Sequence, residues 1–225
     1  MYGSQIGKKF EPDGSARRYP GNTVIADVRP GCGAYAVMTQ LRQMVVDAGF
    51  ADTMILLPED SYHMTVIRGM NDQVRTDAFW PPALRRDAPM TEVDNYLTAA
   101  IASVPMPGPI RMRFRGIQVN EEDFRVLLSP ADDEQLQIIR RFRDAAADAI
   151  GLRLPGHDAY TCHITLAYTR IVPEGEDAAR LQALTDEMAR LILAQPVFET
   201  TRPYTAYYDN MLAFSAGRIQ RSGDT

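Results

Sequence analysis

Ser61-Tyr62-His63-Met64-Thr65-Val66 and Thr161-Cys162-His163-Ile164-Thr165-Leu166 carry one pattern, a His-x-Thr followed by an aliphatic residue, 100 residues apart. The 225-residue chain has three histidines, and two of them sit in this pair. Other features repeat at the same offset. Pro30 answers Pro130, and ahead of these prolines Val24-Ile25-Ala26-Asp27-Val28 and Phe124-Arg125-Val126-Leu127-Leu128 both read as strands. Helical patterns follow each proline and lead to the two His-x-Thr strands. Self-similarity at a fixed offset implies two copies of one supersecondary unit. Copies related by a pseudo-dyad bring equivalent strands together, so His63 and His163 are expected to meet across a shared groove. The expected fold is α+β: one bilobal, pseudo-twofold domain over 1–225, with antiparallel sheets lining a central groove and helices outside. Lobe 1 is placed at about 22–70, an inter-lobe insertion at about 71–109 and lobe 2 at about 110–214.

Side chains alternate between faces along a strand, so residues 61, 63 and 65 share one face and 161, 163 and 165 share its counterpart. Each lobe then offers hydroxyl, imidazole, hydroxyl to the groove, while Tyr62, Met64, Val66 and Cys162, Ile164, Leu166 pack behind. Such a cluster suits an anionic tetrahedral group. Hydroxyls hold phosphoryl oxygens, and two imidazoles with an ordinary pKa of about 6.5 serve as base and acid near neutral pH. Ser61 and Thr161 are further candidates for substrate contact. Either motif alone is weak evidence; two in register with a repeat are strong.

These residues resemble the 2H phosphoesterase superfamily, named for two His-x-Thr/Ser motifs on two similar lobes. The stretch from Gly7-Lys8-Lys9-Phe10 to Tyr19-Pro20-Gly21-Asn22-Thr23 looks like an uncharacterised bacterial branch of it. The resemblance implies cleavage or formation of phosphodiesters at 2′-5′, 2′,3′-cyclic or related linkages without a metal. It makes His63 and His163 the acid-base pair and Thr65 and Thr165 the phosphate ligands. The implied substrate is a small nucleotide or an RNA-terminal phosphodiester. The competing reading is a protein that captures the same ligand in the same groove without turnover.

Composition agrees with a globular enzyme: 45% hydrophobic and 24% charged residues are enough for a substantial core. A formal net charge of −5 argues against a long duplex partner, because phosphate neutralisation supplies most of that affinity. No stretch approaches the roughly 20 apolar residues of a membrane helix, and the N-terminus lacks a signal-peptide core; a cytoplasmic protein without a membrane partner is expected. Neither Cys32 nor Cys162 reads as half of a disulfide framework. No compact metal-ligand spacing and no glycine-rich phosphate loop occurs, so no metal and no cofactor are expected. His157, in the turn-rich Leu154-Pro155-Gly156-His157-Asp158, is placed in a loop.

Several other segments take shape from their patterns. Met38, Leu41, Val45 and Ala48 have helical spacing with Gly49 as a stop. A second-lobe helix is expected to begin after Ser129-Pro130 and to bury Ile138, Phe142, Ala145 and Ala149. Thr91-Glu92-Val93-Asp94 opens a helix in the insertion, and Leu181, Leu184, Met188 and Leu191 mark another that stops near Gln195-Pro196. Tyr204 to Phe214 reads as a closing strand. In Ile110-Arg111-Met112-Arg113-Phe114-Arg115 the alternation sets three arginines on one face, either a solvated side or a wall for a phosphorylated substrate. Phe79 and Trp80 read as packing anchors, with a lid role as the alternative. Asn22 is a candidate polar ligand at the groove end, with a turn role as the plainer alternative.

Overall fold

The period-two stretches are strands in the computed structural model, which describes residues 1–217. In chain order the elements are β1 Gly21–Asp27, α1 Gly33–Asp47, β2 Met54–Leu56, β3 His63–Asn71, α2 Met90–Ala102, β4 Arg111–Val119 and β5 Asp123–Pro130. They continue with α3 Asp133–Ile150, β6 His163–Thr169, α4 Gly175–Leu193, β7 Phe198–Glu199 and β8 Tyr204–Tyr208. The fold is α+β. All strand pairings are antiparallel, in the order β7-β4-β5-β6-β3-β1-β8, with β2 added to β6.

The duplication is visible in the register. Ile25 faces Thr65 as Arg125 faces Thr165, Ala26 faces Met64 as Val126 faces Ile164, and Asp27 faces His63 as Leu127 faces His163. One irregularity repeats as well, a register shift between Val24 and Ile25 and between Phe124 and Arg125, while a further shift between Gly21 and Thr23 belongs to the first ladder. The halves join through the pair Met64–Ile164, so the two expected sheets are one continuous sheet. The helices interlock the halves. α1 follows β1 yet packs with α4, which covers β4, whereas α3 follows β5 and packs on β3 and α2.

Local chemistry sets the helix ends. α1 buries Ala34, Val37, Met38, Leu41 and Val45, and Gly49 closes it at φ 81°. α3 starts later than the Ser129-Pro130 pattern suggests. Pro130 is still in the ladder opposite Met112, and Asp132 caps the helix by accepting from the Gln135 N–H at 3.0 Å. Its buried stripe moves accordingly to Ile139, Phe142, Ala146 and Ile150.

The insertion supplies α2, which packs on β1 and β8. Trp80 is buried, its Nε1 donates to the Leu84 and Arg85 carbonyls at 3.2 Å, and the Arg75 guanidinium lies 4.4 Å over its ring. It anchors the segment to the core. Along β4, Met112 and Phe114 are buried and the three arginines exposed; Arg111 pairs with Asp132 at 2.6 Å and Arg113 donates to the Ala131 carbonyl. Among the described residues no helix is long and apolar enough to cross a membrane.

Candidate active site

The Met64–Ile164 pair fixes the centre of the molecule. One step to either side in an antiparallel ladder sets His63 against Thr165 and Thr65 against His163, so the imidazoles lie diagonally, at about 7–8 Å between backbones. All four side chains are half-buried on the groove face. Behind them Met64, Val66, Ile164 and Leu166 are fully buried.

Both rings are held alike. His63 Nδ1 lies 2.7 Å from the Ser61 carbonyl and His163 Nδ1 lies 3.0 Å from the Thr161 carbonyl. A carbonyl only accepts, which assigns the proton to Nδ1 and leaves the Nε2 lone pair of each neutral ring for the groove. Burial pushes both imidazoles below their ordinary pKa of 6.5. For His63 the Ser61 carbonyl and the Asp27 carboxylate oppose that shift; for His163 the Thr161 carbonyl opposes it and Arg125 adds to it.

The surroundings break the symmetry. Asp27, across from His63, is buried and held by Arg29 at 2.7 Å and by the Tyr204 hydroxyl at 2.9 Å. Burial pushes that tyrosine's pKa up to about 12, and Asp27 adds to the shift. Leu127 stands at the matching place beside His163. Arg125 faces Thr165 and is gripped by Asp123 through two 2.6 Å bonds. The extra residue in each bulged ladder is Val66 in β3 and Leu166 in β6. Aromatic rings close the sides: Phe214 stands 4.2 Å from the His63 ring, and Tyr160 stands 6.1 Å from the His163 ring while donating to the Thr65 carbonyl at 3.1 Å.

Three sequence candidates fall elsewhere. Ser61 precedes the strand in a 3₁₀ turn, is buried, and donates its hydroxyl to the Pro58 carbonyl at 2.7 Å; the alternation argument fails there because β3 begins only at His63. Thr161 also lies before its strand, exposed, and contributes its carbonyl to His163. Asn22 is neither groove ligand nor turn residue. It is buried within β1 behind the groove, donating to Asp94 at 2.9 Å and accepting from the Met70 N–H at 2.9 Å. Cys162 faces away from the groove, and burial pushes its thiol pKa up to about 11. His157 lies in the expected loop but is buried, with Nε2 3.0 Å from Asp144.

Asp144, His157 and Asp158 bring ligand atoms within 4.8 Å of one another, the one such group among the described residues. The Arg153 guanidinium lies 3.0 Å from Asp144 and 3.2 Å from Asp158. A cation already fills that position, so these residues fit no metal ion.

Arg125, Tyr160 and Phe214 escaped the motif reading. Position 125 was open to it, since the repeat sets that residue opposite Thr165. Phe214 was not, because a return of the chain beside β8, bridging Tyr207 and Ser215, brings it to His63.

Residues 9–122 match the family 2H-phosphodiest, described as a domain of unknown function (DUF1868). A conserved protein of unknown function from Agrobacterium tumefaciens, ATU0111, is similar over 95% of this chain and 91% of its own, with 30% identity and a TM-score of 0.86. TT0787 of Thermus thermophilus is similar at 14% identity over 83% of this chain and 85% of its own, TM-score 0.44. E. coli LigT, solved with phosphate, is similar at 12% identity over 85% of this chain and 88% of its own, TM-score 0.42. Among curated proteins none matches. The chain belongs to the 2H-phosphodiest family and thereby to the 2H phosphoesterase superfamily. Membership points to phosphodiesterase-type chemistry.

Proposed function

We propose that the protein is a metal-independent phosphodiesterase that opens a 2′,3′-cyclic or 2′-5′ linked nucleotide or RNA-end phosphate by two-histidine acid-base catalysis. The observation that carries this reading is the matched pair of Nδ1–carbonyl bonds, which leaves two Nε2 atoms facing one groove between two threonine hydroxyls. With the phosphoryl group between the strands, one Nε2 takes a proton from the attacking water or ribose hydroxyl. The other, protonated beforehand, returns a proton to the leaving ribose oxygen. Thr65 and Thr165 donate to the non-bridging oxygens as charge builds on them. A lowered pKa suits the base, and the Asp27 carboxylate steadies a positive charge on His63.

The test is product analysis on nucleoside 2′,3′-cyclic phosphates and 2′-5′ dinucleotides in EDTA, with wild type and Thr65→Ala. Turnover to a phosphomonoester, or from the 2′-5′ dinucleotide to a 2′,3′-cyclic phosphate where the ribose hydroxyl attacks, reduced by about 10²- to 10³-fold in the variant as for loss of a transition-state donor, supports the reading. Intact ligand that binds but is never cleaved points instead to a binding protein.

A further inference from the structure

The two halves close on their central strands by different means. In the first half β2 pairs with β6, and the Leu57 N–H extends that pairing by donating to the Leu166 carbonyl at 3.0 Å. The same offset predicts a bond from the His157 N–H to the Val66 carbonyl in the second half. It does not form. Pro155 has no N–H to offer a ladder, and the His157 N–H turns back to the Leu154 carbonyl at 3.0 Å. A side chain bridges the gap instead: the Arg143 guanidinium of α3 donates to the Val66 carbonyl at 2.6 Å and to the His157 carbonyl at 2.8 Å. It stands between the two residues whose counterparts meet directly in the first half. Gln43, which matches Arg143 at the offset, is exposed and bonds Asp47 within α1 at 2.7 Å.

Arg143 is 7% exposed and forms no ion pair among the described residues; Asp144 is engaged by His157 and Arg153, and Asp158 by Arg153. Burying a guanidinium without a counter-charge is costly, so a residue that only filled this space would be apolar. Charge-assisted bonds to two carbonyls offset that cost, together with the Tyr160 ring, whose centre lies 4.3 Å from the Arg143 Cζ. What the guanidinium holds leads to the site from both sides. Val66 follows Thr65 in β3, and the Thr65 carbonyl accepts from the Tyr160 hydroxyl at 3.1 Å. His157 opens the segment that ends at Thr161, whose carbonyl lies 3.0 Å from His163 Nδ1. The matching segment ahead of His63 is fixed by its own 3₁₀ turn, Glu59–Ser61, whereas residues 157–162 form neither helix nor strand.

We propose that Arg143 is a positioning residue for the site: its guanidinium replaces the missing strand pairing and sets Thr65 and the His163 ring in place relative to one another. The proposal rests on the phosphodiesterase reading above. Arg143 acts through the backbones of β3 and of residues 157–161. Its planar fork spans two carbonyls at once, which the compact ammonium of a lysine does not match. A misplacement of about 1 Å at a reacting centre is worth about 10²-fold in rate. A cavity of about 350 Å³, lined by Arg143, His157, Tyr160 and Cys162 among others, gives a small ion access to the place this side chain would vacate.

The experiment measures kcat and KM on a nucleoside 2′,3′-cyclic phosphate for wild type and Arg143→Ala, each with and without about 20 mM guanidinium, well below denaturing concentrations. Arg143→Ala is expected to lose about 10- to 10²-fold, mainly in kcat, and guanidinium, but not equal sodium chloride, to restore about fivefold or more. A kcat within about twofold of wild type, whatever the change in stability, overturns the proposal, as does a loss carried by KM or one that guanidinium leaves unrestored. If Arg143→Ala does not fold, Arg143→Lys, which keeps the charge, takes its place: a kcat within about threefold of wild type overturns the proposal and a larger fall upholds it. If wild type turns nothing over, the histidine tautomers read by ¹⁵N NMR in the folded variant decide. His163 losing its Nδ1 proton while His63 keeps its own upholds the positioning role and leaves the catalytic reading at fault; any other pattern overturns the role.

Discussion

Replacing Asn22 by alanine separates two roles that its position near the groove end suggests, ligand and joint. The side chain is 1% exposed and joins three elements. Its oxygen accepts from Met70 N–H of β3 at 2.9 Å, and its amide donates to Asp94 of α2 at 2.9 Å, with a longer 3.4 Å contact to the Val93 carbonyl. Alanine leaves the Met70 N–H buried without that acceptor, which costs about 1–3 kcal/mol, and removes the bond to the Asp94 side chain, worth about 0.5–1.5. The expected loss is about 1.5–4.5 kcal/mol, against a total stability of about 5–15 for a domain. Gly69 belongs to the same joint. A Cβ there would overlap the Asn22 side chain and lie 2.6 Å from its backbone oxygen, so Gly69→Ala should fail in the same way. Urea unfolding followed by circular dichroism reads the loss, and kcat/KM on the folded protein should be unchanged. A loss below about 1 kcal/mol, within the range of ordinary surface changes, together with a raised KM, would refute the joint and restore the ligand.

Burial holds both active-site imidazoles below 6.5, so the acid limb of kcat/KM should lie below pH 6.5. Because the unfolded chain takes up these protons at higher pH than the folded one, stability should also fall as pH drops below 6.5, and a flat urea midpoint there would contradict the assignment. Phe214→Ala removes the ring 4.2 Å from His63, readmits water, and should move that histidine's titration by NMR upward toward its ordinary value; no movement would deny the ring its part in the burial. Trp80→Ala should cost about 3–5 kcal/mol by calorimetry with kcat unaltered, whereas a selective fall in kcat would revive a lid role.

The repeat made the centre of the molecule legible, because a strand's alternation and a fixed offset together determine which side chains meet. His63, Thr65, His163 and Thr165 share the groove face for that reason. Ser61 and Thr161 were read one residue pair too far, since nothing local marks the strands as starting at the histidines. The shifted start of α3 has a similar cause: Ser129-Pro130 looks like a cap, yet the ladder partner Met112 keeps Pro130 in β5 and Asp132 takes over. Phe214 and Arg143 lay out of reach of periodicity. Their placement depends on the chain's return beside β8 and on helices that cross between halves.

The histidine pair itself is tested most directly by turnover of a nucleoside 2′,3′-cyclic phosphate in EDTA, wild type beside His63→Ala and His163→Ala. Each substitution is expected to lower kcat by about 10²- to 10⁴-fold, the worth of one positioned acid or base, while the chelator leaves wild-type turnover intact. Full activity in either variant, or activity lost to the chelator, contradicts the account.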